Sequence, residues 1–399
     1  MKKVIAFIIL PLMLLAGCSP FDPDSRTDKP YNRVMILFSL GRNSLDSWLD
    51  ADISDLCNPS LGAEFPGEKD KRALVIVSHG YEKSTELTNP YIIRIYRNKK
   101  NEVVRDTLLR MDKNKILTTP ADMREALDFV RKKFESEHYG MVYSSHGTGW
   151  LPKQYYDKPR IARWSLGEEK MESQSYEMGI DEIAQGIPMH LDYLLFDACL
   201  MGNIETVYQL RGIADCIAAS PTEILTDGFD YTKITRDLLL NYPSSPEDVC
   251  IHYYNQYEKR SGDSQSATIT LVDCSGLEGL ATLCKELVQK YRIQIDGIDS
   301  KNVQRYFRPS SNSAHNWFFD LEDIFRKAGA SSEDLDRLEK ALDKCITYKA
   351  ATPAFMPNSS GFEITSFSGL GMMIPRCGDE ELLDHYRKLD WNKATGLVQ

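Results

Sequence analysis

The sequence predicts an α/β protein: a mostly parallel sheet with helices on both faces. Two observations predict it. Apolar runs of strand length recur without polar–apolar alternation, as strands covered on both faces require. Segments with helical spacing lie between them, and strands that alternate with helices become parallel neighbours joined by crossovers.

The first apolar run is residues 33–39 (RVMILFS) and the second is 73–78 (ALVIVS), with a polar, amphipathic stretch between them that runs through Leu56. Runs 91–96 and 103–109 flank Asn98-Lys99-Lys100-Asn101 and read as a β-hairpin. Thr119, Pro120 and Asp122 mark a helix start, with a hydroxyl cap, a proline in the first turn and an acid three residues after the cap. Met123, Leu127, Val130 and Phe134 then recur at helical spacing, Gly140 closes the unit, and 141–145 is a third buried-type strand. The alternation continues through a helix over 179–186, a strand over 191–197, a helix over 201–210 and a strand over 215–220. Helices near 232–241 and 246–258, a strand over 267–272 and a helix near 276–291 follow.

The last third is less regular. Helices are expected over 320–328 and 332–345, and strands over 361–366 and 369–375. The expected organisation is a core over 33–275 and a smaller α+β portion, 276–399, that packs on it or extends its sheet. There is no internal repeat and no low-complexity tract.

With 399 residues, 42% hydrophobic and 27% charged, the chain can bury a sizeable core and is not disordered wholesale. Its formal net charge is −10; removing residues 1–18 takes away Lys2, Lys3 and no acid, leaving −12. With neither a basic excess nor a basic stripe, a nucleic-acid partner is not expected. The acidity suits a cationic ligand and serves plain solubility equally well.

Residues 1–18 read as a processing segment: a basic start, then an apolar run over 4–16 too short for a permanent membrane span. It ends in Leu15-Ala16-Gly17-Cys18, which resembles a bacterial lipobox. By that resemblance Cys18 is the lipidated first residue of an exported protein anchored at a membrane, facing the periplasm or the cell surface. Residues 19–32 suit a tether. The other eight cysteines show neither a CxxC pair nor metal-type spacing, so no disulfide framework or metal site is expected.

In an open α/β sheet, ligands bind beyond the carboxyl ends of the strands. The strand at 141–145 runs into His146-Gly147-Thr148-Gly149-Trp150, and the strand at 191–197 into Ala198-Cys199-Leu200. An imidazole and a thiol therefore share one sheet edge. A thiol is mostly protonated at neutral pH, and a neighbouring imidazole can take its proton. A helix starting just after Cys199 would further favour the anion. The N–H groups of Gly147 and Cys199 could form an oxyanion hole. His79, after the second strand, is a weaker alternative base. Asp197 points to the same side as Cys199, either flooring a pocket for a basic side chain or capping the following helix. Asp227 and Asp230, at the same edge, are further candidates for an acidic pocket, or ordinary turn residues around Gly228.

His146-Gly147-Thr148-Gly149-Trp150 together with Phe196-Asp197-Ala198-Cys199-Leu200-Met201 and Glu205 resembles the His and Cys motifs of the clostripain family of cysteine peptidases. The resemblance extends over Gly41-Arg42-Asn43-Ser44-Leu45, Ala219-Ser220-Pro221-Thr222-Glu223, Gly228-Phe229-Asp230-Tyr231 and Ser368-Gly369-Leu370-Gly371-Met372. It implies a caspase-like three-layer sandwich, a Cys199/His146 dyad, and cleavage of peptide or protein substrates after Arg or Lys recognised by Asp197. Some members are activated by a cut between the His and Cys strands, where Lys153, Lys158, Arg160 and Arg163 stand. Some need calcium, but no calcium loop is visible and no cofactor is expected. Phe229 stands where the family commonly has Trp, and segment 151–178 is unusually rich in charge and aromatics. The competing expectation is a catalytically silent surface lipoprotein that uses the same cleft to bind a ligand or a protein.

Overall fold

The computed structural model describes residues 30–80, 88–153, 155, 169–171, 174–308 and 316–399. Cys18 and residues 1–29 lie outside them.

The chain opens with β1 (Arg33–Gly41), α1 (Asp46–Leu56) and β2 (Arg72–Gly80). The hairpin β3 (Tyr91–Arg97) and β4 (Val103–Arg110) follows, then α2 (Pro120–Lys133) and β5 (Tyr139–Ser144). A short hairpin, β6 (Glu169–Met171) and β7 (Gln174–Tyr176), precedes α3 (Ile180–Gly186) and β8 (Leu191–Asp197). Then come α4 (Ile204–Leu210), β9 (Ala214–Ala219), α5 (Tyr231–Thr235), α6 (Pro246–Glu258), β10 (Thr268–Asp273) and α7 (Leu277–Lys290). Beyond α7 lie β11 (Phe319–Asp320), a helix over Ser332–Asp343 and β12 (Ile346–Ala351).

The central sheet has nine strands in the order β12-β10-β9-β8-β5-β1-β2-β3-β4. Strands β9, β8, β5, β1 and β2 run parallel, and an antiparallel pair flanks them on each side. Side chains on alternate residues face opposite ways along a strand. On β1, Val34, Ile36 and Phe38 enter one core with Leu127 of α2, Ile183 of α3, Val207 of α4 and Leu280 of α7. Met35 and Leu37 enter the other, with Ile53 of α1, Ile234 of α5 and Tyr253 of α6. This makes the three-layer sandwich, and it explains why β1 reads as one unbroken apolar run: all nine of its residues are buried.

Helix α2 starts as its sequence predicts, with Thr119 Oγ1 accepting from the Asp122 N–H at 3.2 Å. Four elements differ from expectation. Strand β10 is antiparallel to β9. Strand β12, unmarked in the sequence because it is a half-exposed edge with Lys349 among small residues, pairs with β10 and extends the sheet. The two late strands shrink to Phe362–Glu363 and Gly371–Met372, because side chains take their backbone donors. Gln304 Oε1 accepts from the Thr365 N–H (2.8 Å) and Glu205 Oε1 from Met373 (2.8 Å), while Asp320 Oδ2 takes the Ser368 N–H between the two segments (2.6 Å).

The sheet leaves no room for a side chain at Gly140 of β5. A Cβ there would lie 1.9 Å from Cζ of the buried Tyr193 ring on β8. Gly140→Ala is expected to cost about 1–3 kcal/mol of stability through overpacking. A urea midpoint equal to that of the wild type would refute this.

Candidate active site

Parallel pairing brings three strand ends level at one sheet edge. Ser39 of β1 lies opposite Ser144 of β5, and Ser144 lies opposite Asp197 of β8. Ser44, His146 and Cys199 follow those strands. The loop after β9 joins them: the Leu200 N–H donates to Thr222 O (2.9 Å) and the Gly202 N–H to Ser220 O (2.8 Å).

Gly147 packs against the turn that carries Cys199. A Cβ at Gly147 would lie 2.3 Å from the Cys199 carbonyl oxygen and 2.9 Å from its nitrogen. His146, Cys199 and Asp197 line one cavity of about 150 Å³, with Ser44, Trp48 and Asp52 on its other walls. A larger cavity of about 860 Å³, lined by Gln304, Arg305, Arg326 and Glu363, shares none of these residues. Its lining holds neither a cysteine nor a histidine, so its size does not make it a site for thiol chemistry.

His146 is buried, and its Nε2 hydrogen-bonds to Ser44 Oγ at 2.9 Å. Cys199 Sγ accepts from the Ile224 N–H (3.3 Å) and faces the Ile224 carbonyl (3.7 Å). Burial, and next the Glu223 carboxylate, push the thiol up to about 12, while the Ile224 N–H pulls it back. At neutral pH the resting sulfur is therefore a protonated thiol.

The helix expected just after Cys199 begins later. Leu200 adopts a left-handed φ of 61°, which a helix cannot contain, and Gly202 is pressed onto Pro221. Helix α4 starts only at Ile204, after Asn203. The sulfur's backbone donor comes from the neighbouring loop instead of a helix terminus. This also excludes the capping alternative for Asp197, since Asn203 holds the cap position. Its buried carboxylate accepts from the Tyr231 hydroxyl (2.8 Å) and the Phe229 N–H (3.3 Å). Gly228, at φ 54°, lies directly against it: a Cβ there would be 2.3 Å from Oδ2. Burial raises Asp197 to about 6, and those hydrogen bonds oppose the rise.

The other candidates separate. Asp227 Oδ2 pairs with Arg260 at 2.7 Å and lines an adjoining cavity with Glu223 and Arg308. Asp230 pairs with Lys233 (2.6 Å) and Thr232 (2.5 Å) ahead of α5 and lines neither cavity. Lys153 pairs with Glu182 at 2.7 Å. Lys158, Arg160 and Arg163 lie outside the described residues. His79 lies opposite Leu40 at the end of β2, which runs on to Gly80. Glu205 is buried on α4, accepts from the Tyr386 hydroxyl (2.6 Å) and the Met373 N–H, and is raised by burial to about 7.

Sequence reasoning assigned no role to four residues that the structure brings in. Ser44 belongs to the Gly41-Arg42-Asn43-Ser44-Leu45 stretch, which carried only the family resemblance. Trp48 and Asp52 lay in a stretch read only as amphipathic, and their spacing along one helix face was the available signal. Arg308 pairs bidentately with the buried Glu223, Nε to Oε2 at 2.6 Å and NH2 to Oε1 at 3.0 Å. No local pattern announces that contact. Among the described residues, no three His, Cys, Asp or Glu side chains converge as a metal-ligand group.

The family model of the clostripain family matches residues 38–391. Clostripain of Hathewaya histolytica is 29% identical over 125 residues. That stretch covers 29% of this chain and 23% of that protein, so the match spans less than a quarter of the curated relative. Two solved structures share the fold. One is an inactive zymogen C11 protease from Parabacteroides distasonis, with TM-score 0.75 and 23% identity over 92% of this chain and 99% of that one. The other is a secreted C11 cysteine protease from Bacteroides thetaiotaomicron in complex with an irreversible peptide inhibitor, with TM-score 0.74 and 22% identity over the same shares, 92% and 99%.

Arg308 offsets the Glu223 charge beside the sulfur. Arg308→Met should slow alkylation of Cys199 by iodoacetamide at neutral pH by roughly threefold to tenfold, because losing the cation raises the thiol further. Arg308→Lys should fall in between. Peptide mass spectrometry at Cys199 reads the rate, and equal rates in all three proteins would remove Arg308 from this role.

Proposed function

The chain belongs to the clostripain family of cysteine peptidases, and we propose that it cleaves peptide bonds after Arg or Lys with Cys199 as nucleophile and His146 as general base and acid. One observation carries the reading: thiol, imidazole and the Asp197 carboxylate bound a single cavity at the carboxyl edge of the sheet.

In this reading a basic substrate side chain enters the cavity toward Asp197, which sets its carbonyl carbon against the Cys199 sulfur. Ser44 orients the His146 ring through Nε2, and the imidazole receives the thiol proton as the C–S bond forms. The carbonyl oxygen takes up negative charge and is met by the N–H groups of Gly147 and Cys199. Their close packing supports this geometry, since a side chain at Gly147 would collide with the nucleophile turn. The imidazolium then gives its proton to the leaving amine as the C–N bond breaks. Water, deprotonated by the neutral imidazole, hydrolyses the thioester and returns the proton to sulfur. Because burial keeps the resting sulfur protonated, the base acts at the moment of attack.

Cys199→Ala and His146→Ala should each lower kcat/KM on Arg and Lys reporter peptides by about 10³-fold or more. If the chain cuts itself at Lys153, Lys158, Arg160 or Arg163, the Cys199→Ala protein should stay in one piece. Undiminished cleavage by Cys199→Ala would end the proposal.

We also propose that Cys18 carries lipid and tethers the mature chain to a membrane. Among the described residues no helix is long and apolar enough to cross one. Cys18→Ser should lose incorporation of labelled palmitate and leave the membrane fraction; retained label would argue against it.

A further inference from the structure

The acids around the nucleophile fall into two sets. Glu223, Asp227 and Asp230 each have a cation of their own in Arg308, Arg260 and Lys233. Asp52 and Asp197 have none among the described residues, and these two line the cavity that opens on Cys199 and His146. They approach it from different walls, Asp197 from the end of β8 and Asp52 from α1.

Helix α1 presents one continuous stripe to that cavity. Leu45 at its N-cap, then Trp48, Leu49 and Asp52, follow at the three- and four-residue spacing that keeps side chains on one helix face, and all four line it. Trp48 is 45% exposed, although a Trp of an enzyme core is normally covered. An indole face one turn from a carboxylate, opposite a second carboxylate, suits a planar cation. The indole can stack on it, and the two acids can each take one edge.

We propose that Asp52 is the second acidic wall of the specificity pocket and that, with Asp197 and the Trp48 indole, it holds the substrate's cationic side chain, a guanidinium better than an ammonium. The inference rests on the peptidase reading above and deepens it by naming what recognises the basic residue. A guanidinium can bridge two walls with its fork of donors, whereas an ammonium is a compact point charge.

The same geometry makes recognition depend on pH. Asp55 on its own helix, Asp197, Asp227, Tyr231 of α5 and Tyr257 of α6 face Asp52. Burial, then the Asp197 charge, raise Asp52 well above the usual carboxylate range. Near neutral pH the free pocket therefore holds a proton between its two acids. An entering cation favours the fully ionised pair and releases that proton, so binding strengthens as pH rises until the proton is already gone.

The test uses the detergent-solubilised full chain and matched reporter peptides with Arg, Lys or uncharged citrulline before the scissile bond. Asp52→Asn should raise KM for the Arg reporter about tenfold or more, the order expected for losing one partner of a buried charge contact, with kcat changed far less. It should also flatten the fall of that KM between roughly pH 5.5 and 8.5. Asp52→Glu, which keeps the charge, should recover much of the loss, as a merely structural lesion would not. Trp48→Ala should weaken Arg more than Lys. Cleavage of the Arg reporter with unaltered KM and pH slope in Asp52→Asn overturns the role of Asp52 and leaves the peptidase reading standing. A wild-type chain that cleaves citrulline as well as Arg overturns the cation pocket itself, and with it the specificity proposed above.

Discussion

Everything at the site depends on the in-register parallel pairing of β5 with β8. Residues along a strand alternate between faces, so a slip of one position would turn each side chain to the other face. The observed register sets Ser144 against Asp197. From that pair, two residues along β5 reach His146 and two along β8 reach Cys199, and Gly147 folds onto the Cys199 backbone. Strand β1 on the other side of β5 fixes Ser44 in the same way, through Ser39 opposite Ser144. The imidazole is thus held between two strand ends, with its Nε2 engaged before any substrate is present. The constraint is steric as well as hydrogen-bonded, since both Gly140 within β5 and Gly147 beyond it lie where a Cβ would strike β8 or its turn.

Placing a thiol in this edge has an electrostatic consequence. The half-buried Cys199 places its sulfur beside Glu223 and near Asp197, and both carboxylates oppose the thiolate. Two features work the other way: the Ile224 N–H at the sulfur and the Arg308 guanidinium on Glu223. They do not outweigh burial, and the thiol stays protonated at rest. In the proposed reaction the proton must move when the substrate carbonyl arrives, which makes the position of His146 more demanding than its charge. A cation in the pocket would also offset part of the negative field at the sulfur, coupling recognition of the basic side chain to activation of the thiol.

The central architecture was legible because its signals are local. Buried parallel strands read as unbroken apolar runs, and α2 announces itself through Thr119, Pro120 and Asp122. The meeting of His146 and Cys199 was legible because both residues sit at strand ends, where topology alone brings them to one edge. What could not be read depends on contacts between distant segments. The left-handed turn at Leu200 is stabilised by Thr222 O and by Asn203 Nδ2 on its carbonyl, so nothing in the residues beside Cys199 warns that the helix is delayed. The late strands 361–366 and 369–375 have strand-like sequences, but Gln304 and Glu205 capture amides within them. Edge strand β12 carries too few apolar residues to stand out. Asp197, Asp227 and Asp230 are the same residue type at one edge, and only their partners separate them. Asp197 faces the cavity without a cation, while the other two are neutralised by Arg260 and Lys233.

The part beyond α7 is bound into the site and does not merely pack beside it. Trp150, at the end of the His146 loop, is fully buried against Tyr386 and Phe318, with ring centroids 5.0 and 6.2 Å apart, and its carbonyl meets His385 Nε2 at 3.0 Å. Glu205, on the helix after Cys199, holds the Tyr386 hydroxyl and the Met373 amide. Arg308 reaches the loop whose Ile224 N–H touches the sulfur. The three segments around His146 and Cys199 are thus each tied to the last hundred residues, the first two of them through Tyr386. One of the two cores, on the α2 and α7 face of the sheet, runs from Val34 to Val398 with no break at residue 275. A carboxylate such as Glu205, buried and raised toward neutrality, would be expensive to leave unpaired. Loss of its Tyr386 and Met373 partners would be felt first in the turn that carries Cys199. The boundary suggested by the sequence therefore marks a change in regularity, and the folding unit that positions the chemistry extends to the C-terminal helices.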